Sequence, residues 1–264
     1  MPLQDIGEIS LYYEIAGSGP KLVLIGGYSC NIRFWDPIRN LLEKDFQLLI
    51  FDNRGAGRSD IPKYPYSINQ MAEDAMALMK KLHFTPSHIL GASLGGAIVQ
   101  YLARTYPKQW PKIILSNTFI ELKPKTKLLV KNFLKLSKIA PLPLLYEAVI
   151  PWLFSDRFIQ NSENVQSYVD RQVHDPHPQS LMGLKNQAQA LLSFSSRSWY
   201  EKITCPSLII HGEQDIYCPM DDAFALAEGM SNAVLHTFPH AGHLTHVEDP
   251  ERFAEAITKF ILEA

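Results

Sequence analysis

Ser93 stands in Gly91-Ala92-Ser93-Leu94-Gly95, a serine between two glycines at the G-x-S-x-G spacing. That spacing suits a nucleophile held on a sharp strand-to-helix turn, where small neighbours relieve clashes between the two elements. The flanks agree, because the apolar run SHIL precedes the turn and the helical pattern GGAIVQYLARTY follows it. A serine hydroxyl is a poor nucleophile at its ordinary pKa and needs a base, itself oriented by an acid. Nine histidines are available. His83 and His88 flank the strand leading into the turn, and His211 and His236 fall inside strand-like runs. His174 and His177, in HDPHP, lack a third metal ligand and read as solvent-exposed loop residues. His240, His243 and His246 share the loop after the last strand pattern. His243 is preferred because it follows Gly242 in mid-loop. His246 is the reserve; its other use is a hydrogen bond near Glu248 or the next helix start. Asp215, in GEQD after the run SLIIHG, is the candidate acid, whereas Asp221 and Asp222 suit the first turn of the following helix. The amides of Leu94 and of Tyr28, the latter in Gly26-Gly27-Tyr28, are the expected oxyanion donors. Such a set performs acyl transfer through a covalent serine intermediate, and it calls for no metal and no organic cofactor.

A scaffold must bring these distant residues together. Short β-rich runs (EISLYYEI, KLVLIGG, QLLIFDN, SHILGAS, KIILSNT, CPSLIIHG and AVLHTFP) alternate with helical patterns. Several runs are apolar without alternation, as expected of strands covered on both faces of a parallel sheet. The first alternates and is expected at an antiparallel edge. Ser67-x-x-Gln70 predicts a helix start, with the helix reaching about Leu82; Leu94 to Tyr106 is a second helix. Asp249 and Pro250 are expected to cap and open the last. The alternation lapses over residues 119–199, too long a stretch for a loop inside a compact domain. The expectation is an α/β core formed by 1–118 and 200–264, with a helical insertion between them.

The net charge is −2 over 264 residues, so no overall field favours nucleic acid or an anionic membrane. The first residues lack a basic start with an apolar run, and no stretch reaches the ~18 consecutive apolar residues of a membrane span. Cys30, Cys205 and Cys218 show no metal-ligand spacing and read as reduced thiols of a cytoplasmic protein.

Taken together, these residues resemble the α/β-hydrolase superfamily. The order Ser93, Asp215, His243 matches it. FDNRGAGRSD resembles the family's D-x-R-G-x-G-x-S loop, AGHLTHVEDPERF the segment around the family histidine, and Trp35 a further shared position. The resemblance favours His243 over His240 and His246. It implies an α/β-hydrolase fold, a mostly parallel sheet flanked by helices, with 119–199 as the helical cap. Many relatives carry His-Gly where this chain has Gly26-Gly27; 3-oxoadipate enol-lactonases and small carboxylesterases lack that histidine too, and the Ser-Asn-Thr run looks nearest to the lactonase-like group. The cap segment is rich in Leu, Ile and Phe and holds Trp152 and Tyr146, which implies an apolar acyl or aromatic ester as substrate. Lys127, Lys131, Lys135 and Lys138 form a basic stripe, either a solvated helix face or a dock for an acidic acyl-carrier protein. Lactonase, C–C bond hydrolase and cofactor-free perhydrolase would use the same triad. Epoxide hydrolases and haloalkane dehalogenases carry Asp where Ser93 stands. A ligand receptor on this fold is the non-enzyme alternative.

Overall fold

The computed structural model describes residues 2–263. Eight strands form one sheet in the order β1-β2-β4-β3-β5-β6-β7-β8. They are β1 (Leu3–Asp5), β2 (Ser10–Ala16), β3 (Lys21–Ile25), β4 (Gln47–Phe51), β5 (His88–Ala92), β6 (Ile113–Ser116), β7 (Ser207–Gly212) and β8 (Ala233–Phe238). From β4 to β8 every pairing is parallel; β2 runs antiparallel to both β4 and β1. The run EISLYYEI is therefore antiparallel as expected, but it is not the edge. The edge is β1, whose three residues LQD are too short and polar to carry a readable pattern.

The helices are α1 (Asp36–Leu42), α2 (Ile68–Lys81), α3 (Leu94–Thr105), α4 (Pro124–Leu136), α5 (Leu142–Glu147), α6 (Ile150–Leu153), α7 (Asp156–Ile159), α8 (Ser162–Val173), α9 (Leu181–Ser193), α10 (Met220–Gly229), α11 (Thr245–Glu248) and α12 (Pro250–Leu262). Successive strand residues point to opposite faces. Val23, Leu49 and Ile89 pack in one buried cluster with Met71 and Leu78 of α2 and Leu102 of α3. Leu24, Leu48 and Leu90 pack in the other, with Ile38 of α1 and Phe253 and Ile257 of α12. The central strands are buried on both sides, which is why their sequences show apolar runs and not alternation.

Ser67 caps α2 by accepting from the Gln70 amide at 3.2 Å. Asp249 occupies the N-cap position of α12 but makes no side-chain cap; its carboxylate turns to Arg252 at 3.2 Å. Between β6 and β7 lie α4 to α9, and the two ends of this helical segment touch. Glu121 and Ser195 form an isolated antiparallel bridge, and the Ser196 amide donates to the Ile120 carbonyl at 2.9 Å. Gln100 of α3 grips this neck, donating to the Phe119 carbonyl at 3.0 Å and accepting from Ser196 Oγ at 2.7 Å. Among the described residues, no helix is long and apolar enough to cross a membrane.

Candidate active site

Ser93 sits between β5 and α3 with φ 54° and ψ −116°, in a region of backbone space that a side-chain-bearing residue rarely adopts. The neighbours hold the strain in place. The Ser93 amide donates to the Ser116 carbonyl at 2.9 Å, and the Ser93 carbonyl accepts from Thr118 Oγ1 at 2.8 Å. Gly91 and Gly95 are needed for a second reason. A Cβ on Gly95 would strike the Ile25 carbonyl, and one on Gly91 the Gly95 carbonyl, so α3 packs against the sheet at a distance only glycine allows.

Asp215 lies in the turn after β7 and is buried. Its Oδ1 accepts the amides of Tyr217 and Cys218 at 2.9 and 2.7 Å. Its Oδ2 lies 2.7 Å from His243 Nδ1 and accepts Asn117 Nδ2 at 3.1 Å. A carboxylate facing Nδ1 places the ring proton there and leaves Nε2 as an acceptor, the tautomer a general base needs. Asp215, Cys218 and His243 bring ligand-type atoms within 4.8 Å of one another. Burial drives the Cys218 thiol pKa well up, and the carboxylate's oxygens are already engaged by four donors, so the set does not suit a metal.

The other histidines lie in different settings. His246 is buried against Phe34, Trp35 and Phe253, and its Nε2 faces the Phe34 carbonyl at 3.0 Å. Burial lowers its pKa to about 3, so it stays neutral and donates Nε2–H. The hydrogen bond expected near Glu248 is thus made to a different element. His211 is buried and donates to the Cys218 carbonyl at 2.6 Å, with its pKa lowered by burial. His240 and His174 are exposed. His177 is half-buried in a cavity wall, not free in solvent as its loop setting implied.

Two residues brace the site in roles that their sequence setting does not reveal. Asn117, at φ 45°, donates from one amide nitrogen to both Asp215 Oδ2 and the Gly242 carbonyl, while its oxygen accepts Thr245 Oγ1 at 3.0 Å. It ties the acid's loop to the histidine's loop. Glu248 accepts the Gly242 amide at 2.7 Å and the Ser155 amide at 3.2 Å, joining the histidine loop to the helical segment. Burial raises the Glu248 pKa against the pull of those donors. Asn117→Gly should lower kcat about 30-fold with little change in KM, because a hydrogen bond to a charged group is worth ~2 kcal/mol and Asn117 is not among the residues that line the cavity beside Ser93. Glycine tolerates the positive φ, so the variant loses the side chain's bonds to Asp215, Gly242 and Thr245 without added backbone strain, and steady-state kinetics read their combined effect.

Ser93 and His243 both line a cavity of about 380 Å³. No hydrogen bond joins Ser93 Oγ to the His243 ring among the described residues. Gly27 and Tyr28 line the same cavity, and a Cβ on Gly27 would lie 3.5 Å from Ser93 Cβ. The amides of Tyr28 and Leu94 have no protein acceptor among the described residues. The loop bearing Tyr28 is held from the helical segment. Gln187 accepts the Ser29 amide at 3.0 Å and donates to the Arg54 carbonyl at 3.0 Å, and Tyr28 Oη donates to the Leu184 carbonyl at 3.2 Å. Leu129, Phe133, Trp152, Leu153 and Phe158 form an apolar part of the wall. Another part is polar, with Asn31 and Arg33 from the stretch before α1 and with Arg171, Asp175 and His177 of the helical segment, whose apolar composition did not foretell them. Arg33 pairs with Asp175 at 3.4 Å and Arg171 with Asp36 at 2.9 Å.

Residues 20–250 match the family model for the alpha/beta hydrolase fold. The chain is 26% identical to 3-oxoadipate enol-lactonase 2 of Acinetobacter baylyi, covering 95% of this chain and 92% of that protein. Its structure is similar to the enol-lactonase from Burkholderia xenovorans (TM-score 0.88, 25% identity, covering 99% of this chain and 100% of that one). It is also similar to a thermophilic esterase from Thermogutta terrifontis (TM-score 0.85, 25% identity, 97% and 94%).

Proposed function

Because this chain belongs to the alpha/beta hydrolase fold family, we propose that it cleaves carboxylic esters through an acyl-enzyme intermediate on Ser93. The observation that carries this reading is the 2.7 Å contact of His243 Nδ1 with buried Asp215, on a histidine that shares its cavity with Ser93. Ser93 Oγ attacks the ester carbon as His243 Nε2 takes its proton. The amides of Tyr28 and Leu94 hold the oxyanion, and His243 returns the proton to the leaving alcohol. Water, deprotonated by the same nitrogen, then releases the acid and restores Ser93. The bond between Ser93 and His243 forms on substrate binding, as such bonds commonly tighten only in the complex. Asp215 stabilises the imidazolium without itself accepting the proton.

The helical segment from α4 to α9 acts as the cap. Its apolar wall takes the acyl or aromatic part of the substrate, and the wall bearing Arg33 and Arg171 takes a polar end. A lactone is an internal ester and passes through the same steps. The likeness to two enol-lactonases makes it the second substrate to test. All three cysteines are free thiols, in keeping with a reducing, cytoplasmic setting.

Mixing the enzyme with a p-nitrophenyl ester should release a rapid burst of p-nitrophenol followed by slower turnover. The acyl group should appear as a mass increment on the peptide containing Ser93. Turnover with neither burst nor adduct, across acyl lengths, would remove the acyl-enzyme route.

A further inference from the structure

The overall charge of −2 conceals a one-sided segment. From Lys123 to Tyr146 the chain carries six lysines and no aspartate or glutamate, and the next acid is the exposed Glu147 at the end of α5. Lys123 pairs with Asp222 at 3.3 Å and Lys127 with Glu121 at 2.9 Å, so the four-lysine stripe read from sequence loses one member to an ion pair. Lys138 lies beyond the end of α4. Lys125, Lys131, Lys135 and Lys138 are exposed and make no ion pair among the described residues. Large apolar side chains stand exposed among them: Leu128 at 58%, Ile139 at 80% and Leu144 at 55%, with Leu136 and Leu142 also exposed. These are outward residues of a segment whose inward residues are already used, since Val130, Phe133 and Tyr146 line the cavity and Leu145 is buried. Folding therefore leaves the outer aliphatic groups uncovered.

Unpaired lysines beside uncovered aliphatic side chains are the composition of a surface that lies in a membrane interface. We propose that the outer face of α4, the turn after it and α5 docks on an anionic lipid bilayer. The lysines reach the headgroups, and Ile139, Leu142 and Leu144 enter the boundary with the acyl chains. A neutral bilayer would leave the lysines without partners. An acidic protein would pair with the lysines, yet its charged surface would give the aliphatic side chains nothing to bury against. Charge complementarity and apolar exposure agree only for the anionic bilayer. The inner faces of the same helices wall the cavity, so docking would present that wall to the lipid; this consequence rests on the hydrolase reading, whereas the binding does not.

The test is co-sedimentation of the full chain with phosphatidylcholine vesicles, with and without phosphatidylglycerol. Binding is expected on the anionic vesicles alone and should weaken as salt is raised. The triple variant Lys131→Glu, Lys135→Glu, Lys138→Glu should weaken it by at least on the order of 100-fold, given the contribution of each lysine near an anionic surface. Ile139→Asp with Leu144→Asp should weaken it by at least about tenfold. All five positions are exposed, so unchanged melting temperatures would show that the variants fold. No binding to the anionic vesicles, equal binding to neutral ones, or binding indifferent to either variant would overturn the proposal. So would retention on immobilised polyglutamate without any binding to the anionic vesicles, since that marks an acidic protein as the partner. None of these results depends on hydrolysis, so their failure leaves the esterase reading standing.

Discussion

Ser93→Ala should lower kcat for p-nitrophenyl ester hydrolysis by about 10⁶-fold, the loss expected when the attacking atom itself is deleted. The melting temperature should move little. Alanine keeps Cβ, so the strained φ of 54° is neither relieved nor worsened. The hydrogen bonds that brace the turn run through the Ser93 backbone to Ser116 and Thr118, which the substitution leaves in place. Stability and activity should therefore separate in this variant. A loss of less than about 100-fold would mean that water or another side chain performs the attack. Steady-state kinetics beside a thermal melt distinguish the cases.

Asp215→Asn should cost about 10⁴-fold in kcat while the cavity keeps its shape. The reason lies in which atoms face one another. The amides of Tyr217 and Cys218 require an acceptor at the Oδ1 position, so the new side chain must put its oxygen there. Its NH₂ then faces His243 Nδ1 and Asn117 Nδ2, both of which donate in the native site. His243 can meet that NH₂ only by moving its own proton to Nε2, where the lone pair for Ser93 should be. KM should change far less than kcat. A loss below about tenfold would show that Asp215 is a turn residue and not the orienting acid.

The parts of this protein that could be read from its sequence are those set by neighbouring residues. The turn at Ser93 announces itself because close helix–sheet contact demands glycine at 91 and 95, within two residues on either side. The central strands announce themselves because burial on both faces requires unbroken apolar runs such as SLIIHG. The connection after β8 was legible, though not the short α11 that carries His246, and spacing could not separate three histidines within seven residues. Tertiary structure separates them. His246 falls among Phe34, Trp35 and Phe253 and loses its charge to burial, His240 stays in solvent, and His243 meets Asp215. Asn117 was visible only as part of the Ser-Asn-Thr run, and its bridging role was not legible because its partners lie 98 and 125 residues away. The polar part of the cavity was hidden for the same reason, as Arg33 and Asp175 meet only in the folded chain. The lysine stripe of α4 was legible in the sequence, but the exposure of Leu128, Ile139 and Leu144 beside it was not, because packing decides which aliphatic side chains are covered. Local constraints on backbone and burial determined the sheet, the turn and the identity of Ser93's neighbours along the chain. Which side chains converge on that serine, and which remain uncovered at the surface, depended on contacts between distant segments, and those exist only once the core has packed.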